Sequence, residues 1–120
     1  TLNYGHTFAH ALEVLTDYNT FRHGEAVAVG MNCAAQLSVH LGMLDPCELD
    51  RQNTLLQNAG LPIQIPRIQS EKFLEAMYLD KKTSHGKLKL ILIEEIGKVK
   101  IRTGIPDNEI LTVIEKCTTN

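Results

Sequence analysis

Apolar residues recur at Phe8, Ala11, Leu12 and Leu15, spacings of three and four that predict an amphipathic helix over about residues 3–15. Asp17-Tyr18-Asn19-Thr20 breaks the pattern with turn formers. The next segment is apolar on nearly every side. Ala26-Val27-Ala28-Val29-Gly30-Met31 has no polar position, and Cys33, Ala34 and Leu37 extend it. A helix of this kind, over about residues 24–41, belongs in the middle of a bundle. Ala28, Gly30, Ala34 and Ala35 are small enough to let neighbouring helices come close.

Asp45-Pro46 pairs an N-cap acceptor with a proline at the first helical position. The third helix then carries Leu49, Leu55 and Leu56 and stops at Gly60. Prolines at 62 and 66 keep residues 61–66 extended. Ser70-Glu71 opens a fourth helix with Phe73, Leu74, Met77 and Tyr78 on its buried side, ending near Asp80-Lys81-Lys82. The period then switches to two. Residues 87–93 and 98–102, joined by Glu95-Ile96-Gly97, predict a β-hairpin whose second strand has one buried and one solvated face. Pro106-Asp107 starts a last helix carrying Ile110, Leu111, Val113 and Ile114. The expected fold is a mainly α, multi-helical domain with one β-hairpin.

Composition narrows the function more than the fold. A chain of 120 residues buries a real core, and 43% hydrophobic with 22% charged residues excludes disorder. Lys plus Arg is 12 against 14 for Asp plus Glu, a net charge of −2. That balance lacks the basic excess of a nucleic-acid or anionic-membrane binder. No apolar run approaches the ~20 residues of a spanning helix. Cys33, Cys47 and Cys117 are too few and scattered for a disulfide framework. They read as core thiols of a protein in a reducing cytoplasm. The chain opens Thr1-Leu2-Asn3, already close to a motif and without an initiator Met, and so reads as a fragment with an N-terminal partner upstream.

Three of the five histidines fall in the first 23 residues. His6 and His10 are four apart and share a helix face. His23 precedes the second helix, and an antiparallel return after the 17–20 turn brings it back towards the first. Convergent imidazoles suit a transition metal such as zinc; half-exposed or capping histidines give the same spacing. Thr7-Phe8-Ala9 between the pair lacks the glutamate of zinc proteases. Gly5 suits a backbone that approaches a ligand or metal, or a helix that begins only after it, with Asn3 as N-cap. His40 reads as solvated and His85 as a loop residue. Lys81-Lys82 is either a pair of cations at a helix C-terminus or a phosphate or carboxylate clamp.

Taken together, Leu2-Asn3-Tyr4-Gly5-His6-Thr7-Phe8-Ala9-His10-Ala11-Leu12-Glu13 and His23-Gly24-Glu25-Ala26-Val27-Ala28-Val29-Gly30-Met31 resemble the C-terminal domain of the 3-dehydroquinate synthases. Ala59-Gly60-Leu61-Pro62, Asp80-Lys81-Lys82 and Gly86-Lys87-Leu88 continue the likeness in order. The resemblance implies the C-terminal half of a two-domain fold whose NAD-binding α/β domain lies upstream. It implies a phosphate-eliminating carbon–oxygen lyase that turns 3-deoxy-D-arabino-heptulosonate 7-phosphate into 3-dehydroquinate and phosphate, in the shikimate pathway. NAD serves catalytically, and zinc or cobalt is held by two histidines and an upstream glutamate. Carried onto this sequence, His6 and His23 are the metal ligands, and His10 faces the substrate phosphate and transfers protons. Asn3 binds substrate, as does Lys82 or, less favoured, Lys81. The family also implies a homodimer, and a chain that is inactive alone. Ala9 stands where many members have glycine. The alternatives are another sugar-phosphate cyclase, a 2-deoxy-scyllo-inosose or valiolone-type synthase, or a helical interface domain without chemistry. The former generally carries an acidic residue at the position of Asn3.

Overall fold

A computed structural model describes residues 4–16, 20–79, 87–95 and 98–119. Five helices and one hairpin follow in chain order: α1 (His6–Leu15), α2 (His23–His40), α3 (Pro46–Asn58), α4 (Ser70–Tyr78), β1 (Lys89–Glu95), β2 (Lys98–Thr103) and α5 (Asp107–Cys117). The mainly α architecture with one hairpin is the one the sequence pattern predicts.

The nearly all-apolar helix is indeed the central one. α2 buries Ala26, Ala28, Val29, Gly30, Cys33, Ala34, Ala35 and Leu37, and packs against α1, α3, α5 and β1. α1 lies against α2, α4 and β1, and the Phe8 and Phe73 rings stack across α1 and α4 with centroids 6.5 Å apart. Leu12, Leu37, Met77, Leu90, Leu92 and Ile114 complete the same core. α3 begins as expected, with Asp45 Oδ1 accepting from the Cys47 backbone N–H at 2.8 Å. Of the leucines expected to anchor it, Leu49 is buried but Leu55 is 67% exposed. Buried Gln52 supplies the inward contact instead, accepting from the Tyr4 hydroxyl and donating to the Met31 carbonyl at 3.3 Å.

Gly5, rather than Asn3, is the N-cap of α1, with φ +81°. It has a role in the fold itself. The Gly5 backbone presses against Gly30 of α2, and its N–H donates to the Ile91 carbonyl of β1 at 3.1 Å. The small residues of α2 thus admit the start of α1, which fixes where His6 emerges.

β1 and β2 pair antiparallel, with Leu90 opposite Arg102, Leu92 opposite Lys100 and Ile93 opposite Val99. β1 is inserted into the core: Leu90, Leu92 and Ile93 are buried, and the Ile93 N–H donates to Ser38 Oγ of α2 at 3.2 Å. The expected buried face of β2 is not found. Val99 and Ile101 are 51% and 55% exposed, because β2 is the outer strand and its principal neighbour is β1. Residues 61–66 run without regular structure apart from an isolated bridge, Ile65 to Thr118. Buried Asn32 secures that segment by donating to the Ile63 carbonyl at 2.7 Å.

Candidate functional site

The candidate chemistry lies along one face of α1. His6, His10 and Glu13 sit at positions i, i+4 and i+7, so their side chains leave the same side of the helix. The His6 and His10 rings are nearly parallel, 11° between planes with centroids 6.4 Å apart, and both residues are half-buried. His23 is the first residue of α2. The antiparallel return therefore brings it to α1, at the far end of the strip: His23 Nδ1 lies 3.0 Å from Glu13 Oε2. Glu13 is seven residues beyond His6, about 10 Å along the axis at 1.5 Å per residue. The start of α2 is held by Glu25, whose Oε1 accepts from the Arg22 N–H at 2.8 Å, leaving Glu13 to the imidazole.

Glu13 was not singled out by the sequence reading. Its spacing from His10 and His6, three and seven, is the signal that puts it on their face. Among the described residues, no group of three or more His, Cys, Asp or Glu side chains converges to hold a metal. Any metal held here thus needs a donor beyond those side chains. The donors present suit one. An imidazole whose Nδ1 is taken by a carboxylate has Nε2 left for a cation, the usual arrangement of a metal-bound histidine.

The remaining candidates distribute differently. Asn3, Lys81, Lys82 and His85 lie outside the described residues. His40 is not simply solvated: its Nε2 is 3.4 Å from Glu109 Oε1, joining the end of α2 to the first turn of α5. Cys33 and Cys117 are core thiols as expected, but Cys47 is exposed at the start of α3. Burial, and then the hydrogen bond with Cys117, push the Cys33 thiol well above its ordinary value. A hydrogen bond with Asp45 raises the Cys47 thiol despite its exposure. A maleimide should therefore modify only Cys47 in the folded chain, faster as pH rises, and all three thiols once the chain is unfolded. Two or three labels per folded chain, read by mass spectrometry, would contradict the burial of Cys33 and Cys117.

An apolar cavity of about 330 Å³ between α2, α3 and β1, lined by Tyr4, Met31, Leu44 and Ile93 among others, shares no residue with the strip. Among the described residues Glu48 is the one charged residue in its lining, and a carboxylate repels a phosphate. No helix among the described residues is long and apolar enough to cross a membrane.

The fold recurs in a 2-epi-5-epi-valiolone synthase from Streptomyces hygroscopicus subsp. jinggangensis, solved with NAD+ and Zn2+ bound. The superposition has a TM-score of 0.82 at 24% identity, over 95% of this chain and 31% of that one. Sequence is more specific. Residues 1–83 match the family described as 3-dehydroquinate synthase C-terminal. The 3-dehydroquinate synthase of Nostoc punctiforme is 45% identical over 95% of this chain, and that of Crocosphaera subtropica 46% identical over 96%. The chain belongs to the 3-dehydroquinate synthase C-terminal family. It spans 32% of the length of each of those two relatives.

Proposed function

We propose that this chain is the metal- and substrate-holding C-terminal domain of a 3-dehydroquinate synthase, a phosphate-eliminating lyase acting on 3-deoxy-D-arabino-heptulosonate 7-phosphate. The observation that carries this reading is the family match across residues 1–83, which contains the whole histidine strip. The relatives at 45% and 46% identity are dehydroquinate synthases, whereas the valiolone synthase stands at 24%. That contrast favours the dehydroquinate reading over another cyclase.

In this proposal His6 and His23 hold the divalent cation, zinc or cobalt, with a glutamate from the upstream part of the enzyme. A bound cation supplies Lewis acidity at the substrate hydroxyl, and NAD supplies the hydride acceptor and donor. His10 carries a proton at its ring nitrogen to and from the phosphate end of the substrate, a task suited to an imidazole near neutral pH. Its ring lies nearly parallel to that of His6, centroids 6.4 Å apart, beside the proposed metal-holding residue. Asn3 hydrogen-bonds the substrate, and Lys82, or Lys81, offsets the phosphate charge. An N-terminal α/β domain binds NAD, and the substrate lies in the cleft between the two domains. The enzyme works as a cytoplasmic homodimer.

The division of labour has a direct test. The 120-residue chain, given substrate, NAD and zinc, releases no phosphate, because the hydride carrier's site and one metal ligand are not in it. The intact enzyme does release phosphate, and needs NAD to do so. Release by the isolated chain, or NAD-independent release by the intact enzyme, would overturn the proposal.

A further inference from the structure

We infer that Glu13 is a positioning residue for His23: its carboxylate holds the ring in the tautomer and orientation that offer Nε2 to the metal. The inference rests on the proposed role of His23 as a ligand, and names a residue that role does not itself require. Glu13 Oε2 and His23 Nδ1 are 3.0 Å apart, a distance at which the carboxylate accepts and the imidazole nitrogen carries the proton. A neutral imidazole has one proton for two nitrogens. Fixing it on Nδ1 leaves the Nε2 lone pair bare, which is the form a cation needs.

The exposures of the two partners argue for positioning over fold stability. The His23 side chain is 74% exposed, while that of Glu13 is 13% exposed. A ring so open to water has rotational freedom and no packing to orient it. Glu13 is anchored on α1, so the ordered partner restrains the free one. With the ring neutral the contact is one hydrogen bond with one partner open to water, a modest contribution to folding, and its more specific effect is on the orientation of the ring. The pair also links α1 to α2 at the end of the strip that holds His6 and His10. A ligand from each helix is then oriented by contacts within that two-helix unit.

The test reads the tautomer without any metal. In the 15N-histidine-labelled chain, well above the ordinary imidazole pKa of about 6.5, long-range 1H–15N correlations should show His23 protonated at Nδ1 and bare at Nε2. Glu13→Gln keeps an acceptor oxygen and should keep that tautomer. Glu13→Ala should shift His23 towards the Nε2–H form common in free imidazoles, with α1 intact, since alanine is the best helix former. A wild-type His23 protonated at Nε2, or a tautomer unmoved by Glu13→Ala, would overturn the inference. Zinc affinity of the intact enzyme is the second readout. Glu13→Ala should weaken it by about 10–100-fold, the usual effect of removing such a partner, and Glu13→Gln by much less. If His23→Ala loses zinc while Glu13→Ala binds it like the wild type, the inference alone fails. If His23→Ala itself retains zinc, the ligand assignment fails and the inference with it.

Discussion

Gly30→Ala should remove a large share of the stability of the fold. A Cβ added there would meet the Gly5 carbonyl oxygen at 2.5 Å and the Ala9 backbone and Cβ at 3.0 Å. Two of these neighbours are main chain, so no flexible side chain can swing away. Overpacking usually costs about 1–3 kcal/mol, and a collision with backbone belongs at or above the top of that range. Against a total of about 5–15 kcal/mol for a domain, a loss of about 3 kcal/mol or more is a substantial fraction. Gly5→Ala should be at least as damaging, since it adds a left-handed φ of +81° to the reciprocal collision. Gly42 provides the control. Its φ is +76° but nothing lies within 4 Å of an added Cβ, so Gly42→Ala should cost only the conformational strain of about 1–2 kcal/mol. Urea midpoints of the three variants measure this directly. Equal midpoints for Gly30→Ala and Gly42→Ala would mean that α1 and α2 do not touch as described. Because Gly5 precedes His6, the same contact fixes the base of the proposed metal site.

His10→Ala should slow turnover of the intact enzyme by roughly 10²–10⁴-fold, the effect of losing a general acid–base, while the fold and the metal persist. The stacked pair shares one helix face, so geometry within the chain does not rank one imidazole as ligand and the other as proton carrier. The ranking comes from the family pattern, and the kinetic effect separates the two roles. A His10→Ala enzyme with wild-type kcat would remove His10 from the chemistry.

The helices of this fold were legible because their signals are local. The cap and proline at Asp45-Pro46 and the stop at Gly60 need only neighbouring residues to act, and α2 announced its central position by lacking a polar side. What escaped the sequence were pairings across distance. Gly30 was recognisably small, but not that Gly5 would fill the space it leaves. Asn32 and Gln52 are buried because Ile63, Asn53, Tyr4 and the Met31 carbonyl satisfy them, and such partners carry no periodic signal. The alternation in β2 predicts a buried apolar face that the structure does not have, because it says nothing about whether another element lies over Val99 and Ile101. In the candidate site, the spacing of His6 and His10 and the return of His23 were readable. The carboxylate that receives His23 was not, since Glu13 looks like any polar residue on a half-exposed helix. Asn3, Lys81 and Lys82 rest on the family pattern.

In the proposed site His6 and His23 hold the metal and His10 does not. Zinc bound per chain after dialysis, measured on the intact enzyme and on its His6→Ala, His10→Ala and His23→Ala variants, tests it most directly. Near-stoichiometric zinc is expected in the wild type and in His10→Ala, and loss of zinc in the other two, because the ligands that remain hold the ion poorly. Loss of zinc in His10→Ala with retention in His6→Ala would contradict it.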